Sequence, residues 1–249
     1  MTEDILGMSQ DSMASGVREM ATAEWCGPRG HFARILREFA AETVLRHARG
    51  GRALACGCGN GAMVAALVRR FPELVVVDSA DNGAASVDPR LSRWVEFRHC
   101  LIEEFEAERT FDAVILAWVL EHVPDPRSLL RRAQDWLAPG GTIHVIVPNA
   151  GSLHRRLGQA MDLLSEVTDL SDADLSIGHR RVYTWPALRA DIGSAGLHVL
   201  AREGICLKPL PSAQMGEWPS DLLRGLYLAG RELPDLCSEI YAACAPAGR

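Results

Sequence analysis

From Gly30 onward Phe32, Ile35, Leu36, Phe39, Ala40, Thr43 and Val44 recur at spacings of three and four, which predicts an amphipathic helix stopped by Gly50-Gly51. Beyond those glycines the period changes. Ala53-Leu54-Ala55-Cys56 is a short apolar run, Met63 to Phe71 has helical spacing and ends near Pro72, and Leu74-Val75-Val76-Val77 is apolar on both faces. Two-faced apolarity is what a central parallel strand requires. Further strands are predicted at Trp94 to Phe97, Ala113 to Leu116 and Thr142 to Val147. Between the last two, a helix from Pro126 to the Pro139-Gly140-Gly141 turn places Leu129, Leu130, Ala133, Trp136 and Leu137 on one face. Strand and helix in alternation predict an α/β fold, a doubly wound and mostly parallel sheet with helices on both faces.

After Ala150 the pattern loosens. Gly151 to Ile177 mixes Leu and Met with Ser, Asp and Gly, and reads as a helical cap inserted after the fifth strand. Trp185 to Ala195 is predicted helical, Leu197 to Ala201 extended, Cys206 to Pro219 a proline-bearing loop, and Leu222 to Ala243 helical with a break at Pro234. The organisation expected is an N-terminal helical segment or lid over 1–50, a ligand-binding core over 51–149, a substrate cap over 150–184, and completion of the core with a substrate-side loop over 185–249.

Charge narrows the partners. The 249 residues carry a net charge of -6 with no extended basic run, which argues against a nucleic-acid partner. No apolar stretch reaches the ~18 residues of a membrane span. Met1 to Gln10 contains Glu3 and Asp4 and lacks the pattern of a secretory leader. Seven cysteines form no disulfide framework or metal-ligand spacing, so a reduced, cytoplasmic setting is expected. Lysine occurs once, at Lys208.

Candidate chemistry begins at Gly57-Cys58-Gly59-Asn60-Gly61, directly after the first strand. Glycine permits positive φ in a tight turn and lets backbone approach a ligand closely. Asp78 ends the second strand 21 positions after Gly57, where an acid in a nucleotide-binding βαβ unit accepts hydrogen bonds from ribose hydroxyls. The spacing is Gly-x-Gly-x-Gly, one residue tighter than the pyrophosphate-binding turn, which disfavours NAD or FAD.

The chain resembles class I SAM-dependent methyltransferases of the small-molecule type from roughly Ala53 to Asn149. The resemblance lies in Ala53 to Gly61, Asp78, Phe111-Asp112-Ala113-Val114-Ile115, Val119 to Pro126 and Leu137-Ala138-Pro139-Gly140-Gly141-Thr142. It implies a Rossmann-like core that binds S-adenosyl-L-methionine (SAM) through Gly57, Cys58, Gly59, Gly61 and Asp78. Leu101 and Ile102 would pack against adenine, and Ala117 and Trp118 would close the fourth-strand side. The family's usual acid in the first strand is replaced by Ala55.

Catalysis is expected from Glu121, His122, His179 and Tyr183, and acceptor binding from Arg181, His154 and Trp25. Two readings of His122 stand, a general base near the acceptor or a histidine that positions a helix. His179, Arg181 and Tyr183 belong to Gly178-His179-Arg180-Arg181-Val182-Tyr183, similar to a Gly-His-x-Arg-x-Tyr segment between cap and last helix in related methyltransferases. There the histidine would take a proton, the arginine meet a carboxylate and the tyrosine close the pocket. The alternative is a solvated arginine pair and a tyrosine that anchors the cap. Glu121-His122 also resembles the end of the Glu-x-x-Glu-His metal set of ubiquinone-type O-methyltransferases, whose first acid is Trp118 here, so no metal is assigned. The implied partner is a small-molecule methyl acceptor, in a monomer or a homodimer.

Overall fold

The computed structural model describes residues 28–59, 61–80 and 88–248. Helix α1 (Pro28–His47) leads into strand β1 (Arg52–Cys56), helix α2 (Ala62–Val68), β2 (Glu73–Asp78), β3 (Val95–His99) and β4 (Phe111–Ala117). Then come α3 (Pro126–Asp135), β5 (Leu137–Pro148), α4 (Leu153–Ala160), α5 (Asp172–Ser176), α6 (Trp185–Ser194), β6 (Leu197–Leu207), α7 (Ser220–Gly230) and β7 (Cys237–Pro246). The strands form one sheet in the order β3-β2-β1-β4-β5-β7-β6. Strands β1 to β5 pair with one another in parallel, and β7 runs antiparallel between β5 and β6. The doubly wound, mostly parallel sheet is therefore as expected.

Side-chain alternation explains the two layers. Ala53, Ala55, Leu74, Val76, Ala113 and Ile115 face a core completed by Phe32, Phe39 and Val44 of α1, Leu67 of α2 and Tyr227 of α7. Leu54, Cys56, Val75, Val77, Val114 and Leu116 face the other core, with Leu130 and Trp136 at α3 and Leu188 and Ile192 of α6. Pairing of Leu54 with Val75 and Val114 puts β1 at the centre of the parallel part. Helix α3 starts as its sequence predicts, with Asp125 accepting from the Ser128 amide at 3.0 Å and proline in its first turn. Among the described residues no helix is long and apolar enough to cross a membrane.

Three expectations need correction. The segment read as helical to Ala243 with a break at Pro234 is α7 followed by strand β7. Its small residues favour a helix locally, but eight consecutive buried positions, Cys237 to Cys244, fit only between β5 and β6. Cys206 and Leu207 belong to β6 and not to the loop. The Pro139-Gly140-Gly141 turn is absorbed into an irregular start of β5, because Phe111 pairs with Leu137 whereas Ala113 pairs with Thr142.

Acid sensitivity is built into this core. His144 is fully buried, its Nε2 2.9 Å from the Thr142 hydroxyl and its Nδ1 2.8 Å from the Tyr241 hydroxyl. Burial, with His47 and Arg49 nearby, lowers its pKa to about 3. In the unfolded chain it titrates near ~6.5, so below that pH the unfolded state takes up a proton that the folded state refuses. Its contribution is complete above ~6.5 and is lost as pH falls toward the folded value. Urea midpoints should drop between pH 7 and 4, and His144→Gln should flatten that slope; an unchanged slope would remove His144 from the acid response.

Candidate active site

Both sheet faces are covered, so polar chemistry collects at the carboxyl ends of the strands. A cavity of about 530 Å³ opens there, lined by the β1 turn, the ends of β2 and β4 and the segments that follow β3 and β4. The volume is within the ~300–1,000 Å³ range of ligand sites. Gly57 at φ +83° and Gly59 at φ +52° turn the chain back over the sheet, and a Cβ on Gly57 would meet nothing within 4 Å. Asp78 fastens this turn: one carboxylate oxygen accepts from the Cys58 amide at 2.7 Å and the Cys58 thiol at 2.8 Å, the other from the Ala80 amide at 2.8 Å. Cys58, Leu101, Ile102, Ala117 and Trp118 also line the cavity, with Leu101 half exposed at its rim. Gly61 stands just behind, at φ +77°, as the N-cap of α2.

Trp118 has φ +55°, a conformation that bulky residues rarely hold. Three contacts keep it there. Its amide donates to the Ile146 carbonyl at 2.8 Å, its indole donates to Glu239 at 3.1 Å, and the Arg37 guanidinium stands 4.9 Å from its ring. Burial lowers the Arg37 pKa to about 10 against the opposing pull of Glu239 and Glu121. Burial likewise raises Glu239, against Lys208 and the indole hydrogen bond, and lowers Lys208, against Glu239 and Asp174.

The sequence does not announce this group. Arg37 sits beside the apolar stripe of α1, and Glu239 lies in the stretch read as helix. Pairing of Glu239 with Pro148 carries it to the same end of the sheet as the cleft.

At the cap end, one ligand atom each of Glu121, His122 and His179 come together within 4.8 Å of one another. Of the three, His122 lines the cleft. Its ring meets that of His179 edge-on at 4.8 Å, and burial plus His179 lowers its pKa to about 4. The His179 Nδ1 is 3.1 Å from Asp174, whose other oxygen accepts from Arg155 and Ser171. Burial opposes ionisation of Asp174, yet hydrogen bonds from His179, Ser171 and Arg155 hold it below the usual carboxylate range. The Ser171-x-x-Asp174 capping box was a readable signal for it.

The remaining predicted residues are placed elsewhere. Tyr183 is buried in the core and its hydroxyl donates to Asp191 at 3.1 Å, which corrects its catalytic assignment. Arg181 donates to the Leu120 and Val123 carbonyls at 2.6 Å and to Pro124 at 3.2 Å, bracing the segment after β4 instead of facing an acceptor. His154 lies off the cleft lining at the start of α4, its pKa lowered to about 3 by burial and then by Lys208 and Arg155. Trp25 falls outside the described residues.

A family profile described as a methyltransferase domain matches residues 29–202. The chain belongs to the methyltransferase-domain family. The human mitochondrial ubiquinone biosynthesis O-methyltransferase is 29% identical over 174 residues, 64% of this chain and 45% of that one. The ubiquinone biosynthesis O-methyltransferase of Ruegeria pomeroyi is 34% identical over 143 residues, 49% of this chain and 58% of that one. The matched region thus spans about half the length of these curated relatives. DhpI, in a complex with SAM and HEP, superposes with a TM-score of 0.62 at 19% identity, covering 96% of this chain and all of that one. That likeness establishes the Rossmann-like methyltransferase fold and agrees with the class I resemblance.

The bracing role of Arg181 is testable. Arg181→Met removes charged donors from three carbonyls and should lower stability by about 1.5 to 3 kcal/mol. Amide exchange should quicken first at residues 119–124. Unchanged exchange there would leave Arg181 free for another role.

Proposed function

We propose that the chain is a SAM-dependent methyltransferase that methylates a small hydroxylated acceptor, at oxygen, in specialised metabolism. What carries the reading is the cavity over the Gly57–Gly59 turn, with Asp78 at the end of β2 and a polar cluster at its far end. Asp78 is fastened by backbone amides, yet the oxygen that accepts only from the Ala80 amide keeps a lone pair for a ribose hydroxyl. Leu101 and Ile102 offer apolar contact to a purine. Arg37 is the cation on the cavity wall that suits the carboxylate of an amino-acid moiety, and it supplies charge on a side of the cleft where Ala55 offers none. Bound there, SAM supplies a sulfonium-activated methyl group.

The protein's part in such a displacement is proximity and alignment. Residues 150–184 cap the acceptor, and the acceptor oxygen sits against Glu121, His122 and His179. Its proton leaves through that cluster, which joins cleft and cap among the described residues. Ile177, which borders the same cavity, contributes apolar surface to the acceptor.

Two measurements check this. Asp78→Ala should weaken binding of S-adenosylhomocysteine by about 1 to 3 kcal/mol in calorimetry, and unaltered affinity would take Asp78 out of the site. Incubation with methyl-labelled SAM and a panel of phenols, catechols and amines should give labelled phenol or catechol ethers; label on amines alone would contradict oxygen as the acceptor atom.

A further inference from the structure

Lys208, the single lysine of the chain, directly follows the last residue of β6. Its carbonyl accepts from the His154 amide at 3.0 Å, which ties the end of β6 to the start of α4 and so to the cap. Its ammonium stands 5.9 Å from the ring centroid of Phe32, a fully buried residue of α1. Three elements therefore enclose one cation.

A lysine so placed ordinarily has an ion pair. Lys208 has none among the described residues, and its ammonium donates no hydrogen bond there. The acids that act on it are Glu239 and Asp174, and both are engaged elsewhere. Glu239 accepts from the Trp118 indole and the Ser238 hydroxyl, and Asp174 from His179, Arg155 and Ser171. Burial accordingly lowers the Lys208 pKa, against the pull of those two acids. The turn beside it is under-satisfied as well, because the Ser152 hydroxyl and the His154 Nδ1 are buried without a hydrogen-bond partner. The lysine nitrogen is not among these sealed atoms, and the residue is only half-buried, so a ligand can reach it.

We propose that Lys208 binds a carboxylate group of the methyl acceptor, with His154 beside it as a neutral donor. Its neighbours locate it. Glu239 holds Trp118 at the cleft wall and Asp174 holds His179 under the cap, so the ammonium lies between cleft and cap. An acceptor with its hydroxyl against His122 and His179 extends its other end toward Lys208. One lysine flanked by two acids matches a single negative charge better than the nearly two of a phosphate monoester. The carboxylate supplies the acceptors that the ammonium lacks, in a charge-assisted pair. Arg37 and Lys208 then divide the work, the first meeting the carboxylate of SAM and the second that of the acceptor. That the anion belongs to a methyl acceptor rests on the methyl-transfer reading, whereas the anion site itself rests on the unpaired lysine.

A single lysine makes the test direct. The full chain carrying ¹³C-labelled lysine gives one Cε resonance, assigned by its loss in Lys208→Met. The probes are 4-hydroxyphenylacetate and 4-hydroxyphenylacetamide, alike in shape and different in charge, added with and without S-adenosylhomocysteine. The carboxylate should shift the resonance saturably and bind about 10- to 100-fold more tightly than the amide. In Lys208→Met, calorimetry should find that preference gone, while circular dichroism and S-adenosylhomocysteine titration report folding and the cofactor site. No shift with the carboxylate, equal affinity for the two probes, or the preference retained in Lys208→Met overturns the site. A shift with inorganic phosphate alone overturns its assignment to a carboxylate. A lysine response without S-adenosylhomocysteine binding leaves the anion site standing and removes the methyl-transfer reading; the reverse result removes the anion site alone.

Discussion

A sheet covered on both faces leaves polar side chains one place to work, the ends of its strands. Every feature of the cleft follows from that constraint. The parallel strands β1, β2 and β4 end together, so the turn after β1, the acid closing β2 and the tryptophan after β4 converge without any long-range loop. The antiparallel return of β7 adds what parallel strands alone would not. It enters the sheet at the cleft end, and that direction brings Glu239 within reach of the Trp118 indole.

The electrostatics are those of a preorganised site. Arg37, Glu239 and Lys208 each have a pKa pulled toward neutrality by burial and restrained by an opposite charge, a balance that ordinary surface ion pairs lack. The strained backbone of Trp118 is held by the same group, since its indole and ring face contact Glu239 and Arg37. Distortion and buried charge therefore occur together at the wall of the cleft. Packing alone would be better served by apolar residues there.

Most of the fold was legible because local signals agreed with the tertiary outcome. Two-faced apolar runs gave β1, β2 and β4, and the proline and Asp125 gave the start of α3. The turn glycines and Asp78 were legible for the same reason, as they depend on strand ends. What escaped depended on partners distant in sequence. Cys237 to Cys244 reads as helix by composition and is a strand because β5 and β6 flank it. Arg37 carries no signal of its own in the sequence, because only the fold puts it on the cleft beside the Trp118 ring. Tyr183 and Arg181 looked chemical from their motif, and the fold spends them on Asp191 and on three carbonyls. His179 gained its meaning only when the cap brought it to Glu121 and His122.

The central claim is that the cleft over Gly57 and Asp78 is shaped for an adenosyl amino acid and not for a dinucleotide. Calorimetric titration of the wild-type chain with S-adenosylhomocysteine, with NAD as the parallel ligand, tests it most directly. Saturable one-to-one binding of S-adenosylhomocysteine and none of NAD is the predicted result. Binding of NAD, or of neither ligand by a protein shown to be folded, would contradict it.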